Sequence, residues 1–528
     1  MAKGVRGASL ESTQSQPGQA VAEGAGPGTG GTVAEEFAVA SVPLCVDLDG
    51  TLVKSDTLLD TVIVLARQSP RWLLQFPQWM AQGKAAFKRK VSSLAAIDVT
   101  HLPYNQPLLG YLRQQHAAGR EIYLATGADT LLAERVAAHV GIFAGVFASD
   151  GSVNLTGHNK LAVFQQRFPA GFCYIGNARP DVPLLTHCVD PMVANPDFAL
   201  RAGLRSAGMV PVRTFRDSPA KWKAWLHAIR LHQWAKNTLI FLPVLLAHVR
   251  AAGPWAAAFL AFLSFGLTAS ATYIVNDLLD LEADRHHERK RRRPFASGDL
   301  SPIAGAATVA VFLCLAVALA LLLPGVLKVL SPQLALAQPW GFLEWLGVYA
   351  ISTTAYSLRL KRMVLVDVIV LSGLYTIRLL AGGAATGSAV SPWLAAFSIF
   401  FFLSLAFVKR FSELESRRLH HSDAASIAIK GRGYRISDLE QLRSFGTATG
   451  CASVVIFALY VQNEVAKSLY QHYMRLWLLF PVLLLWLFRL WFLASRGELH
   501  DDPVVYAITD KRSLLLGAVV VAIVLSAL

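Results

Sequence analysis

Charged residues are scarce in this 528-residue chain, 16% of it against 54% hydrophobic residues. That balance excludes an ordinary soluble protein of this length and requires a membrane part. The scarcity is uneven: charge and Gly/Ser runs crowd into the first 220 positions, which excludes a purely membranous protein too. Cysteine is scarcer still. The five thiols (Cys45, Cys173, Cys188, Cys314, Cys451) show no C-x-x-C spacing, so neither a disulfide framework nor a zinc site is indicated, and reduced, inert thiols are expected. Acidic residues, 35 in number, are outweighed by 49 Lys and Arg, for a formal net charge of +14. Such an excess suits nucleic acid, anionic lipid or phosphorylated substrates, and the apolar content favours the last two. No nucleic acid is expected, because the basic residues lie between apolar segments without an aromatic-interleaved surface. Residues 1–37 lack hydrophobic periodicity and the apolar core of a signal peptide, so a disordered tail is expected, with no export of the domain next to it.

From Val42 to about Val212, short apolar runs (VPLCVDL, EIYLAT, GVFAS, FCYIGN, PMVAN) alternate with amphipathic stretches, the pattern of a parallel α/β sheet. A domain over 38–215 is expected, with the Trp- and Lys-rich stretch 54–100 forming either a small helical cap or a helical pair lying on a membrane surface. After Trp222 come nine apolar segments, near 239–249, 254–275, 303–324, 339–355, 364–381, 392–408, 442–461, 475–495 and 513–528. Each approaches the ~20 residues that span a bilayer, so 216–528 is expected to be an all-α polytopic bundle. Lys and Arg concentrate in the loops after the second, fourth, sixth and eighth segments, which places those loops and the N-terminal domain in the cytoplasm of a bacterial inner membrane.

VPLCVDLDGTL sets Asp47 and Asp49 just past a buried strand, at the sheet edge where such folds place their sites. Thr126 follows in EIYLATGAD, Lys160 after a Gly-rich turn, and Asn177 with Asp181 after FCYIG. These four motifs, in order over about 170 residues, resemble the haloacid dehalogenase superfamily of phosphohydrolases. The resemblance implies that Asp47 is the nucleophile and Asp49 the general acid/base, with Thr126 and Lys160 clamping phosphoryl oxygens. Mg²⁺ would be held by Asp47, the backbone at Asp49, Asn177 and Asp181. In place of the usual G-D-x-x-x-D, the chain has Gly176-Asn177-Ala178-Arg179-Pro180-Asp181. A neutral amide there weakens Mg²⁺ binding without abolishing it, and a domain that only folds is the alternative.

At the end of the second apolar segment, YIVNDLLDLEADRHHERKRRRPF places Asn276, Asp280 and Asp284 every four residues. On a helix they form one stripe roughly 12 Å long, with Asp277 beside it. Carboxylates in that position suit Mg²⁺ holding a pyrophosphate, with Arg285, Lys290 and Arg293 neutralising the remainder. The stretch resembles the N-x-x-x-D-x-x-x-D motif of the UbiA superfamily of intramembrane prenyltransferases. Aromatic prenyltransferases of that superfamily carry a second D-x-x-x-D after span six, where this chain has FVKRFSELESRRLHHSDA. HQWAKN (with Lys236 and Asn237), YSLRLK (Tyr356 to Lys361), Asp367 and Arg378 are similar instead to the decaprenyl-phosphate phosphoribosyltransferase branch. Arg230-Leu231 departs from that branch's usual Arg-Pro. Asp367 and Arg378 lie about 16 Å apart on one helix and cannot pair with each other; each needs a cavity partner or a structural partner on another helix.

One acidic cluster with an excess of cations suits a donor that has one pyrophosphate and one 5-phosphate, and an acceptor that is itself a phosphate. Lys236, Tyr356, Lys361, Lys409 and Arg410 are the further candidates for those phosphates, a simple positive-inside role being the alternative for each. The resemblance therefore implies a Mg²⁺-dependent transferase moving 5-phosphoribose from phosphoribosyl pyrophosphate to a polyprenyl phosphate, with a phosphatase domain acting on the product in cell-envelope biosynthesis. An aromatic prenyltransferase, and a lipid-binding scaffold with relic sites, are the rivals. Assembly as a homo-oligomer stays open.

Overall fold

The computed structural model describes residues 42–333, 336, 338–420, 433–499 and 502–528; the tail expected over 1–37 lies outside them. The N-terminal part is a six-stranded parallel sheet in the order β3-β2-β1-β4-β5-β6. Its strands are β1 (Leu44–Val46), β2 (Ile122–Asp129), β3 (Gly145–Ser149), β4 (Cys173–Gly176), β5 (Pro191–Ala194) and β6 (Arg213–Phe215). β1 is fully buried because it pairs on both sides, Cys45 lying opposite Tyr123 and Tyr174. Leu44 and Val46 enter one apolar cluster while Cys45 enters another, the two-residue alternation of a sheet covered on both faces. The chain winds outward from β1 in one direction and from β4 in the other. The crevice between their carboxyl ends is where such sheets bind ligands.

Between β1 and β2 a helical excursion includes α1 (Thr57–Gln68) and α2 (Lys84–Leu94). Phe76 holds it together, its ring centroid 5.5 Å from that of Trp79 and 5.3 Å from that of Phe87.

Among the described residues, six helices are long and apolar enough to cross a membrane: Ala252–Leu279 (α3), Pro302–Leu330, Val366–Thr386, Pro392–Leu419, Ile436–Gln462 and Tyr473–Ser495. The other three expected spans are shorter. Residues 239–249 fall on a 3₁₀ segment, Leu231–Phe241, and a five-residue helix, Leu242–Leu246; 339–355 and 513–528 fall on helices of 18 and 17 residues. At 1.5 Å per residue, 17 or 18 residues reach only about 26 Å, just under the ~30 Å hydrocarbon core.

α3 passes through Asp280 into α4 (Leu281–Arg285). The bonds Asp280 N to Asn276 O (2.9 Å) and Asp284 N to Asp280 O (2.7 Å) carry helical spacing across that joint, so the acidic stripe keeps its line. The N-terminal domain docks here. Arg285 reaches Asp60 of α1 at 2.9 Å, Arg67 of α1 donates to the Leu279 carbonyl at 3.2 Å, and Lys54 meets Asp299 at 3.3 Å.

Candidate active sites

The end of β1 delivers Asp47 to the crevice, where Lys160 donates to its Oδ1 at 2.8 Å. The same ammonium bonds the Ala125 carbonyl (3.1 Å) and the Tyr174 hydroxyl (3.0 Å). Lys160 belongs to the helix His158–Arg167, which aims it at the sheet edge. Burial pushes the Asp47 carboxyl up to about 6, with Lys160 opposing and Asp181 adding to the rise. Asp49 accepts from the Thr57 amide at the start of α1 at 2.8 Å, and burial, aided by Asp56, pushes it up to about 7. A carboxyl half-protonated near neutrality can give a proton and take it back. Gly50, at φ +77°, allows close approach of Asn177: a Cβ there would lie 1.9 Å from the Asn177 amide nitrogen. Thr126 is buried and accepts from the Ala128 amide at 2.9 Å, within a β2 that runs on to Asp129.

Asp181 plays a different part from the expected one. Its Oδ1 accepts from Tyr174 (2.8 Å) and its Oδ2 from the amides of Asn177 and Ala178 (3.0 and 3.1 Å), so it shapes the loop that presents Asn177. Asp47, whose Oδ2 accepts from Thr51 at 3.3 Å, and Asn177 offer hard oxygen donors of the kind Mg²⁺ takes.

In the membrane domain, Asp277 and Asp284 are buried and share Arg293, at 3.1 and 2.7 Å. Arg230 adds a 2.6 Å bond to Asp277, Lys290 lies 3.8 Å from Asp284, and Lys361 lies 3.5 Å from Asp280. Asn276 donates to Ser357 at 2.8 Å. With Arg67 of the N-terminal domain 4.0 Å from Asp280, the structure gathers three carboxylates and five cations at one helix end, an oxygen-rich set suited to a divalent cation and a polyphosphate. A second polar centre joins Lys236 and Lys409 to Asp502 at 3.0 and 2.8 Å. Arg378 donates to Asn237 at 2.8 Å and to the Tyr349 hydroxyl at 3.1 Å.

The sequence pattern of the UbiA prenyltransferase family matches residues 238–509, the stretch that holds these carboxylates. The chain belongs to the UbiA prenyltransferase family. It is an integral membrane protein whose UbiA domain is preceded by a parallel α/β domain, the crevice motifs of which resemble those of the haloacid dehalogenase superfamily. It is 39% identical over 488 residues to the uncharacterized protein y4nM of Sinorhizobium fredii, covering 91% of this chain and 90% of that protein. It is 33% identical to the decaprenyl-phosphate phosphoribosyltransferase of Mycobacterium tuberculosis (strain CDC 1551 / Oshkosh), over 44% of this chain and 72% of that enzyme. The structure of a UbiA homolog from Archaeoglobus fulgidus bound to GPP and Mg²⁺ is similar at 15% identity and a TM-score of 0.42, over 58% of this chain and 99% of that one.

Two expected positions in the UbiA domain need correction. Arg285 faces away from the stripe: it is buried against Asp60, Ser55 (3.1 Å) and the Ala296 carbonyl (3.2 Å), and fastens the domains together. Arg410 is fully buried, with Nε on Asp367 at 2.5 Å, Nη1 on both Glu413 oxygens at 2.9 Å and Nη2 on the Tyr356 hydroxyl at 2.9 Å. Tyr434 also donates to Asp367. A lone charge between membrane helices is costly, so Arg410 and Asp367 neutralise each other across two helices; Tyr356 belongs to that network too.

Four residues take parts that motif reading did not assign them. Arg230 holds a left-handed conformation, φ +56°, unusual without glycine, and so turns from the preceding helix toward Asp277. Asp502 sits before Pro503 and caps the next helix, a start signal that could have marked it. Tyr174 links Lys160 to Asp181. Lys88 of α2 bonds the carbonyl of Gly127 at 2.6 Å and Asn154 at 2.8 Å, bringing a cation from the helical excursion to the crevice.

Proposed function

We propose that the UbiA domain, read as 216–528, transfers 5-phosphoribose from phosphoribosyl pyrophosphate to a polyprenyl phosphate such as decaprenyl phosphate. The domain over 38–215 then removes the 5-phosphate, and both sites face the cytoplasm. The observation that carries the reading is the carboxylate cluster, the single one of its kind among the described residues of the UbiA domain, ringed by Arg230, Lys290, Arg293 and Lys361. The other polar centre presents two lysines on one aspartate. That division suits one pyrophosphate and two further phosphates, and the 33% identity to a decaprenyl-phosphate phosphoribosyltransferase points the same way.

Asp277, Asp280 and Asp284 would hold Mg²⁺, which when bound offsets the charge that builds on the departing pyrophosphate. Arg293 and Arg230 hold these carboxylates in place, and Lys290 and Lys361 are left to meet phosphate oxygens. An oxygen of the polyprenyl phosphate forms the new bond to the anomeric carbon as the bond to pyrophosphate breaks. Lys236 and Lys409 are positioned to receive the remaining phosphates once those displace Asp502.

In the N-terminal domain, Asp47 attacks the ribose 5-phosphate while Lys160 and Thr126 hold its oxygens. The phosphorus–oxygen ester bond breaks, and Asp49 gives its proton to the leaving alkoxide. Asp49 then takes a proton from the water that releases phosphate from Asp47. Mg²⁺ there would rest on Asp47, the Asp49 backbone and Asn177.

Membranes containing the protein, given labelled phosphoribosyl pyrophosphate and polyprenyl phosphate, are expected to form a lipid-extractable ribose product. An allylic diphosphate with hydroxybenzoate should give none. The reverse outcome would assign the protein to aromatic prenylation.

A further inference from the structure

Asp98 caps and His101 ends a short 3₁₀ turn of the N-terminal domain, Val99–His101, and His286 follows α4 of the UbiA domain. Their side chains meet where the domains touch. His101 Nδ1 lies 2.7 Å and His286 Nε2 2.8 Å from one oxygen, Asp98 Oδ2. The other oxygen, Oδ1, accepts from the amide and hydroxyl of Thr100 at 2.9 and 2.6 Å, which fixes the carboxylate with Oδ2 turned to the two rings; the same hydroxyl oxygen lies 2.7 Å from His101 Nδ1, a contact that an ion on Nδ1 would displace. The imidazoles stack, with centroids 4.2 Å apart.

The hydrogen bonding of His286 decides what this cluster needs. Its Nδ1 lies 2.8 Å from the Glu282 carbonyl oxygen, which can only accept, so Nδ1 carries a proton. In a neutral ring Nε2 is then a bare lone pair, and it faces a carboxylate oxygen that is also a lone pair. Two acceptors at that distance repel. Only a second ring proton or a cation between them resolves the contact. A backbone carbonyl on one ring nitrogen, with the other presented bare, is also how metal-ligating histidines are oriented.

We propose that Asp98, His101 and His286 form a transition-metal site that clips the two domains together. The three ligand atoms lie within 4.8 Å of one another. Metal–ligand bonds of about 2.0–2.2 Å ask the present contacts to widen by well under 1 Å. Two imidazole nitrogens and one carboxylate oxygen select Zn²⁺, Co²⁺ or Ni²⁺ over Mg²⁺, which separates this site from both oxygen-lined centres. The residues are partly exposed, with side-chain exposures of 31% for Asp98, 47% for His101 and 42% for His286. The ion therefore enters from solvent and completes its shell with water. It would hold His286, two residues beyond Asp284 and just past the end of α4, to the N-terminal domain.

The test uses the untagged full chain in detergent, stripped with a chelator and titrated with Co²⁺. About one equivalent should bind with a visible ligand-field band that Zn²⁺ abolishes. His101→Gln and His286→Gln, one change in each domain, should each weaken binding at least about tenfold, while melting in chelator stays that of the unaltered chain. The site is refuted if no band forms or if either variant binds Co²⁺ as the unaltered chain does. It is refuted equally if Zn²⁺ leaves Tm unchanged while acidification raises Tm only in the unaltered chain, the mark of an imidazolium pair without metal.

Discussion

Replacing Arg285 by Met tests how the two domains are held together. Asp60 is 1% and Arg285 7% exposed at the side chain, with 2.9 Å between them. Among the described residues Asp60 Oδ1 has no hydrogen-bond partner, and Oδ2 would keep the 2.6 Å bond from Ser55. Stranding one charge of a buried pair costs about 3–5 kcal/mol. The surviving Ser55 bond places the expected loss near 3 kcal/mol at pH 7.5, roughly a hundredfold in the docking equilibrium. The loss depends on pH in a definite sense. Burial already holds the Asp60 carboxyl above its ordinary value, while Arg285 and Ser55 pull it down; removing Arg285 raises it further. A carboxyl whose folded value is raised favours the folded state fully below its unfolded value near 4, and loses that contribution as pH climbs to the folded value. The variant should therefore be nearer the unaltered protein at pH 5.5 than at pH 7.5. The fall in Tm on melting in detergent reads the loss, and Asp60→Asn combined with Arg285→Met should recover most of it. An unchanged Tm in Arg285→Met, or strictly additive losses in the double variant, would refute the reasoning.

Asp280→Asn removes one carboxylate charge from the stripe and should lower transfer at least about tenfold across a Mg²⁺ titration, with membrane insertion, followed by detergent extraction and gel filtration, unchanged. Asp47→Asn should leave transfer intact and let the phosphorylated lipid accumulate; mass spectrometry showing the same lipid product as the unaltered protein would remove the phosphatase from the scheme. Lys88→Gln should lower kcat/KM for phosphate-ester hydrolysis about tenfold. Burial lowers the Lys88 ammonium from its ordinary value, against the pull of Asp49 and Asp56, so the alkaline fall in activity should begin earlier than for an exposed lysine and be missing from that variant.

The N-terminal site was legible because a parallel sheet collects the ends of its strands along one edge: motifs read in order at Asp47, Thr126, Lys160 and Asn177 had to converge. The acidic stripe was legible because helical spacing is local, and Asp280 continues that spacing even where it joins two helices. What sequence could not supply was direction. Arg285 stands in a run of basic residues, and nothing local distinguishes the one that turns to Asp60 from Arg293, which turns to Asp277 and Asp284. Arg410 read as a free cation because its neutralising Asp367 is on another helix, 43 positions away. Asp502, between Lys236 and Lys409, lies 266 residues from the first of them. The segment at 239–249 shows the limit of hydropathy alone: its apolar content passed for a span, yet the chain there is divided between two short helical pieces.

Only residues 216–220 separate β6 from the helix Lys221–Ile229, and that connector is sewn down at Asp217. Its amide donates to Asn195 at 2.9 Å, its carboxylate accepts from the Gln106 amide at 3.0 Å, and its carbonyl accepts from Lys54 at 2.9 Å. A leash so short and so fully stitched gives the N-terminal domain no arc to sweep. Under the proposed division of labour, the moving part is the lipid, whose polar head must pivot from one crevice to the other while its tail stays in the bilayer. Splicing slack into the connector would then add no reach until the stitches at Asp217 were cut as well.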